Sequence, residues 1–152
     1  MSMPDFPKGL DGFLHRHWIT NAIDCGSRTS VEWMLTKGVD ISFRDDEGCT
    51  VLHSALDREL PDKYEVLELL LKHGAPVNAR GLNDWTPAHM AAARDDVKAL
   101  RLLVRYGADL SIRTRIDNFA TPLEEARSLN KDGIAITERA IAFLEAHIDG
   151  RS

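Results

Sequence analysis

The chain has 152 residues, 43% hydrophobic and 28% charged, with 19 Lys and Arg against 24 Asp and Glu for a net charge of −5. These proportions describe one soluble folded domain with enough apolar side chains for a core, and the negative balance speaks against nucleic acid, whose phosphates call for a basic stripe. No apolar run is long enough to span a membrane, and Met1-Ser2-Met3-Pro4-Asp5 lacks the basic start and apolar stretch of an export signal, so no membrane is expected as a partner and the expected location is cytoplasmic.

In chain order, Phe6, Leu10, Phe13 and Leu14 extend a first helix and close the N-terminal face, and the run from His17 to Gly26 carries that helix onward. Thr50-Val51-Leu52-His53-Ser54-Ala55 starts a second unit, because a threonine hydroxyl can accept from an otherwise orphan amide of the first turn. Val66, Leu67, Leu69, Leu70 and Leu71 then repeat with helical spacing up to Gly74, a left-handed stop. Arg80-Gly81-Leu82-Asn83-Asp84 is too short and turn-rich for a helix and suits an extended finger with a tight tip. Thr86-Pro87-Ala88-His89-Met90-Ala91 begins a third unit with proline where no amide is missed, Val97 to Val104 is its second helix, and Gly107 ends it. Thr121-Pro122-Leu123-Glu124-Glu125-Ala126 begins a fourth. Asn130-Lys131-Asp132-Gly133 interrupts it, and a helix resumes around Thr137 to His147 with Ile141, Phe143 and Leu144 inward and Glu138, Arg139, Glu145 and His147 toward water.

The intervals locate the irregularities. Sixteen residues separate Ala22 from Gly38 and Ala91 from Gly107, but nineteen separate Ala55 from Gly74, which puts three extra residues around Glu59 to Asp62. Gly38 to Thr50 and Gly74 to Thr86 each span twelve residues and Gly107 to Thr121 spans fourteen, so the last finger is two residues longer. A unit of finger, helix, turn and helix that returns every thirty-odd residues cannot bury its apolar face alone and stacks on its neighbours.

These segments resemble ankyrin repeats, whose T-P-L-H-x-A helix start they share over roughly residues 15 to 148. The resemblance implies an all-α ankyrin-repeat solenoid of helix-turn-helix units joined by extended finger and β-turn loops. A single domain is expected, with an N-terminal cap extension at 1–14, repeats at 15–45, 46–81 and 82–116, and a C-terminal capping repeat at 117–150. It also implies that His53 and His89 hydrogen-bond backbone in a neighbouring finger. Asn78 is expected to tie fingers through its amide, with Ser42 and Ser111 in the equivalent place.

Little in the chain suggests catalysis. There is no G-x-G-x-x-G, Walker-type loop, C-x-x-C or G-x-S-x-G, and no motif brings a nucleophile to a base. His15 and His17 alternate on a helix and point apart, with no further ligand at zinc spacing, so neither metal nor cofactor is expected. Cys25 and Cys49 are expected to be free thiols, since a stacked-repeat fold needs no covalent staple.

What remains is a surface for binding another protein. The resemblance places it on finger tips and first helices, lining a concave groove. Carried over, the groove comprises Asp24 and Cys25; Asp46, Glu47, Cys49, Asp57 and Arg58; Leu82, Asn83, Trp85, Ala93 and Arg94; and Asp117, Asn118 and Ser128. Trp85 stands out, because tryptophan at an interface is disproportionately a hot spot. Up to Pro76 thirteen acidic residues face eight basic ones, and beyond it eleven face eleven. Asp45-Asp46-Glu47 with Asp24 and Asp57 makes an acidic end that would steer a partner with a basic patch, while Arg80, Arg94, Arg113 and Arg115 crowd the later fingers. The reading is a non-enzymatic adaptor, inhibitor or regulator, monomeric when free. An immunity protein that masks a toxin's active site is a sharper alternative, and an enzyme with an unrecognised site is the alternative of a different class.

Overall fold

The computed structural model describes residues 18–116, 118–130 and 136–150. The expectations for Phe6, Leu10, Phe13, Leu14, His15, His17 and Asp117, and for most of the interruption after Asn130, lie outside them. The chain divides into two compact units, Met1–Pro76 and Val77–Ser152, at the point where the charge balance changes.

The first unit contains α1 (Trp18–Cys25), α2 (Arg28–Thr36), α3 (Val51–Asp57) and α4 (Lys63–Lys72). α1 packs on α2 and α3, and α4 packs on α3 and α2. Ile19, Ile23, Val31, Leu52, Leu56, Val66, Leu67 and Leu70 are fully enclosed between them. The apolar face read from Val66 to Leu71 is buried throughout. Five residues, 58–62, separate α3 from α4, where three, 94–96, separate the equivalent helices of the next unit.

The second unit contains a 3-10 turn (Leu82–Asp84), α5 (Pro87–Ala93), α6 (Val97–Arg105), α7 (Pro122–Leu129) and α8 (Glu138–Gly150). α5 packs on α6, α7 and α8, and α8 also covers α6 and α7. Alanines let these helices approach closely: Ala88, Ala91, Ala92, Ala99, Ala126 and Ala140 are buried with Leu100, Leu103 and Leu144. On α8 the inward residues are Ala140 and Leu144. Ile141 and Phe143 are half-buried, against expectation, because the helix presents its narrower alanine-containing stripe to its neighbours. Arg139 and Glu145 are not simply solvated: Arg139 pairs with Asp95 at 2.7 Å, and Glu145 pairs with Arg127.

The helix starts are built as their sequences require. Thr86 and Thr121 hydroxyls accept from the amides of His89 and Glu124, and the third residue of each helix reaches back, His89 Nδ1 to the Thr86 amide at 3.3 Å and Glu124 Oε2 to the Thr121 amide at 2.9 Å. Thr50 and His53 repeat the exchange at 3.2 Å. Glutamate replaces histidine in the last repeat without loss of this box. The stops are equally local: Gly107 has φ +95°, and the amide of Ala108 behind it reaches the Leu103 carbonyl at 2.9 Å.

The fingers confirm the length difference. The tip hydrogen bond runs from the Asp45 amide to the Cys49 carbonyl and from the Gly81 amide to the Trp85 carbonyl, but from the Thr114 amide to the Ala120 carbonyl in the last finger, two residues farther. Asn78 ties fingers as expected, giving Nδ2 to the Gly107 carbonyl and accepting the Asp109 amide on Oδ1 at 2.8 Å. Ser42 and Ser111 do not: their amides close turns onto Asp40 and Asp109, because a hydroxyl is too short to span the gap an amide bridges.

Cys25 and Cys49 are free thiols, the first exposed and the second half-buried. Ellman's reagent on the native protein without reductant should therefore count two thiols per chain, Cys25 reacting faster than Cys49. A count of zero until reduction would contradict this arrangement.

Candidate functional site

In the first unit, the second finger ends in a tip that its own aspartate organises. The Asp45 carboxylate accepts the amides of Glu47 at 2.9 Å and Cys49 at 2.8 Å, and Gly48 turns the chain at φ +80°. Beside it lies a cleft of about 570 Å³ shared with the ends of α1 and α3. Five carboxylates line it, from Asp24, Asp45, Glu47, Asp57 and Glu59, together with Cys49, His53, Ser54 and Leu60.

Arg58 is the one cation in the lining, and its charge is already engaged. The side chain is fully buried, with Nε on Asp62 at 2.8 Å, one terminal nitrogen on the Gly26 carbonyl at 2.7 Å and the other on the Ile23 carbonyl. It thus satisfies the carbonyl end of α1 from the neighbouring repeat. The expectation that Arg58 offers its guanidinium to a partner is corrected by this burial. Asp24, Glu47, Cys49 and Asp57 are brought together as read from the sequence, whereas exposed Asp46 stands outside the cleft. Cys25 also stands outside it, its thiol donating to Asn21. Glu59 and Leu60 were not anticipated; both lie in the inserted stretch that the spacing had located.

In the second unit a smaller cleft of about 400 Å³ lies between the third and fourth fingers, lined by Asn83, Trp85, Thr114, Ile116, Asn118 and Glu125. Asn83, Trp85 and Asn118 meet here as expected. Leu82 is exposed beside them; Ala93, Arg94 and Ser128 lie outside the lining. Asp84 holds the two fingers together, accepting the Arg115 amide at 2.6 Å and the Arg115 guanidinium at 2.8 Å while pairing with Arg80 at 2.8 Å. The Arg115 hydrogen bonds lower the Asp84 pKa to about 2.

Three of the four arginines that crowd the later fingers, Arg80, Arg113 and Arg115, are held by carboxylates. Arg80 and Arg115 share Asp84, and Arg113 grips both oxygens of Glu124, at 2.6 and 3.0 Å. The same Arg113 bonds hold the Glu124 carboxyl below its usual range. Among the described residues no cluster of three or more His, Cys, Asp or Glu side chains is arranged to hold a metal ion. No described helix is long and apolar enough to cross a membrane.

Three comparisons bear on this arrangement. A family model described as ankyrin repeats, in 3 copies, matches residues 19–130. Human BCL-6 corepressor-like protein 1 is 34% identical over 114 residues, which is 74% of this chain and 6% of that protein. Mouse RelA-associated inhibitor is 35% identical over 86 residues, 57% of this chain and 10% of that protein. The chain thus spans a small part of the length of these relatives. The crystal structure of the ankyrin repeat domain of Bcl-3, described as a unique member of the IkappaB family, superposes with a TM-score of 0.70 at 29% identity, covering 85% of this chain and 51% of that one.

Proposed function

Because the chain belongs to the ankyrin repeat family, whose domains bind other proteins, we propose that it is a non-enzymatic module that binds a partner protein as an adaptor, inhibitor or regulator. The observation that carries the reading is the cleft of the first unit, where five carboxylates converge and the only arginine is already committed to Asp62 and two carbonyls. A partner with a basic patch complements that field, and the long-range attraction would speed encounter. The same observation favours a second, narrower reading, in which the chain masks the basic active site of a toxin as an immunity protein. The proposed setting is cytoplasmic, with the chain monomeric when free.

Affinity capture from the native cell identifies the partner, and surface plasmon resonance then tests the cleft. Glu47→Lys with Glu59→Lys should slow association by about tenfold at low ionic strength and much less in high salt, because screening shortens the reach of the field. Glu32→Lys with Glu138→Lys makes the same change in net charge away from the cleft. If that pair slows association equally, net charge acts and the cleft does not.

A further inference from the structure

We propose that the finger tips of the second unit form a separate docking surface for an uncharged, apolar segment of a partner protein, with Phe119 as its anchor; this rests on the reading of the chain as a protein-binding module. Phe119 has φ +50°, a left-handed conformation that disfavours bulky residues and suits glycine or asparagine. The residue is 60% exposed, so packing does little to offset that strain. The hydrogen bonds that it makes, from its amide to the Ile116 carbonyl and from Arg113 to its own carbonyl, are backbone ones that any residue would supply. The fold uses the backbone at this position and leaves the aromatic ring idle.

The surroundings indicate what would cover it. Ile116 and Leu82 are 48% and 51% exposed, and the cleft beside them presents Trp85 with the amides of Asn83 and Asn118. An amide side chain carries both a donor and an acceptor, which matches the peptide groups of an extended backbone. The arginines beside the cleft are already paired, Arg80 and Arg115 with Asp84, and Arg113 with Glu124, while the cleft lining itself carries a carboxylate, Glu125, and no cation. A charged partner would compete with those pairs, whereas a neutral apolar segment gains the exposed carbon surface without disturbing them.

The test selects binders from a random short-peptide display library on the immobilised full chain, then measures the selected peptides by fluorescence polarisation against variants. Neutral peptides bearing bulky apolar side chains are expected, and Phe119→Asn should weaken them about tenfold or more while Glu47→Lys with Glu59→Lys leaves them unchanged. The same Phe119→Asn variant should melt at or above the wild-type temperature, since asparagine tolerates the left-handed backbone. A lowered melting temperature would mean that the ring serves the fold, and unchanged peptide affinity would mean that it serves nothing at this surface; either overturns the proposal. Basic peptides sensitive only to the cleft reversal would overturn it and leave the broader function standing. An empty selection rejects it too, as does a wild-type dimer in analytical ultracentrifugation that Phe119→Asn dissociates, which would make a second copy the occupant.

Discussion

Replacing Arg58 with alanine is expected to destabilise the protein by about 3 kcal/mol, measured as the shift of the urea midpoint at unchanged slope. The guanidinium is buried and bonds the carbonyls of Ile23 and Gly26 and the carboxylate of Asp62. Truncation leaves two carbonyls at the end of α1 without donors and opens a void the length of the side chain. Asp62 loses less, because it keeps the Arg28 amide at 3.1 Å and is partly exposed. Arg58→Lys separates charge from geometry: an ammonium cannot reproduce a planar fork with three directed bonds, so lysine should recover less than half of the loss. Full recovery by lysine would show that charge alone is needed.

His89→Ala is expected to cost about as much, roughly 3 kcal/mol, by loss of packing and of hydrogen bonds on both ring nitrogens. The ring is fully buried; Nε2 donates to the Ala120 carbonyl at 2.9 Å and Nδ1 accepts from Thr86. Burial is also the main cause of its pKa falling below the ordinary 6.5, so the folded protein keeps it neutral where the unfolded chain protonates it. Below pH 6.5 the unfolded state therefore binds more protons, and stability is lost as pH falls from there through the depressed folded value. His89→Gln removes that titration. The gap between wild type and His89→Gln should narrow on acidification by up to about 1.4 kcal/mol per pH unit within this window. A gap that does not change between neutral pH and pH 5 would mean that His89 protonates equally well in both states.

What was legible in the chain was what is decided within one repeat. Threonine before proline, glycine behind a leucine-rich helix and the longer last finger all act over a few residues, and each reappears in the structure. Arg58 is not legible in the same way: its position on the turn after α3 suggests exposure, while its long side chain folds back to carbonyls more than thirty residues earlier. The sequence shows how many arginines the later fingers carry, but a count says nothing of which carboxylate each one grips. Leu82, Asn83 and Asn118 are exposed because finger tips are exposed by construction, whereas Trp85 at the base of its tip is half-buried. Phe119 escaped because periodicity carries no information about the sign of φ, although the two extra residues of its finger marked the place.

The links between successive repeats also bear on how the chain is made. They run from 29 residues, between Asn78 and Gly107, to 45, between Asp95 and Ala140, with the Arg58 and His89 bonds in between. None of these links needs the whole polypeptide to be present. Arg58 and Asp62 can close onto α1 and α2 while the ribosome is still translating the second unit, whose synthesis takes several more seconds at roughly 5–20 residues per second. The N-terminal half can thus acquire its buried arginine clamp on the nascent chain, once α4 has cleared the ribosome and before the second unit is complete.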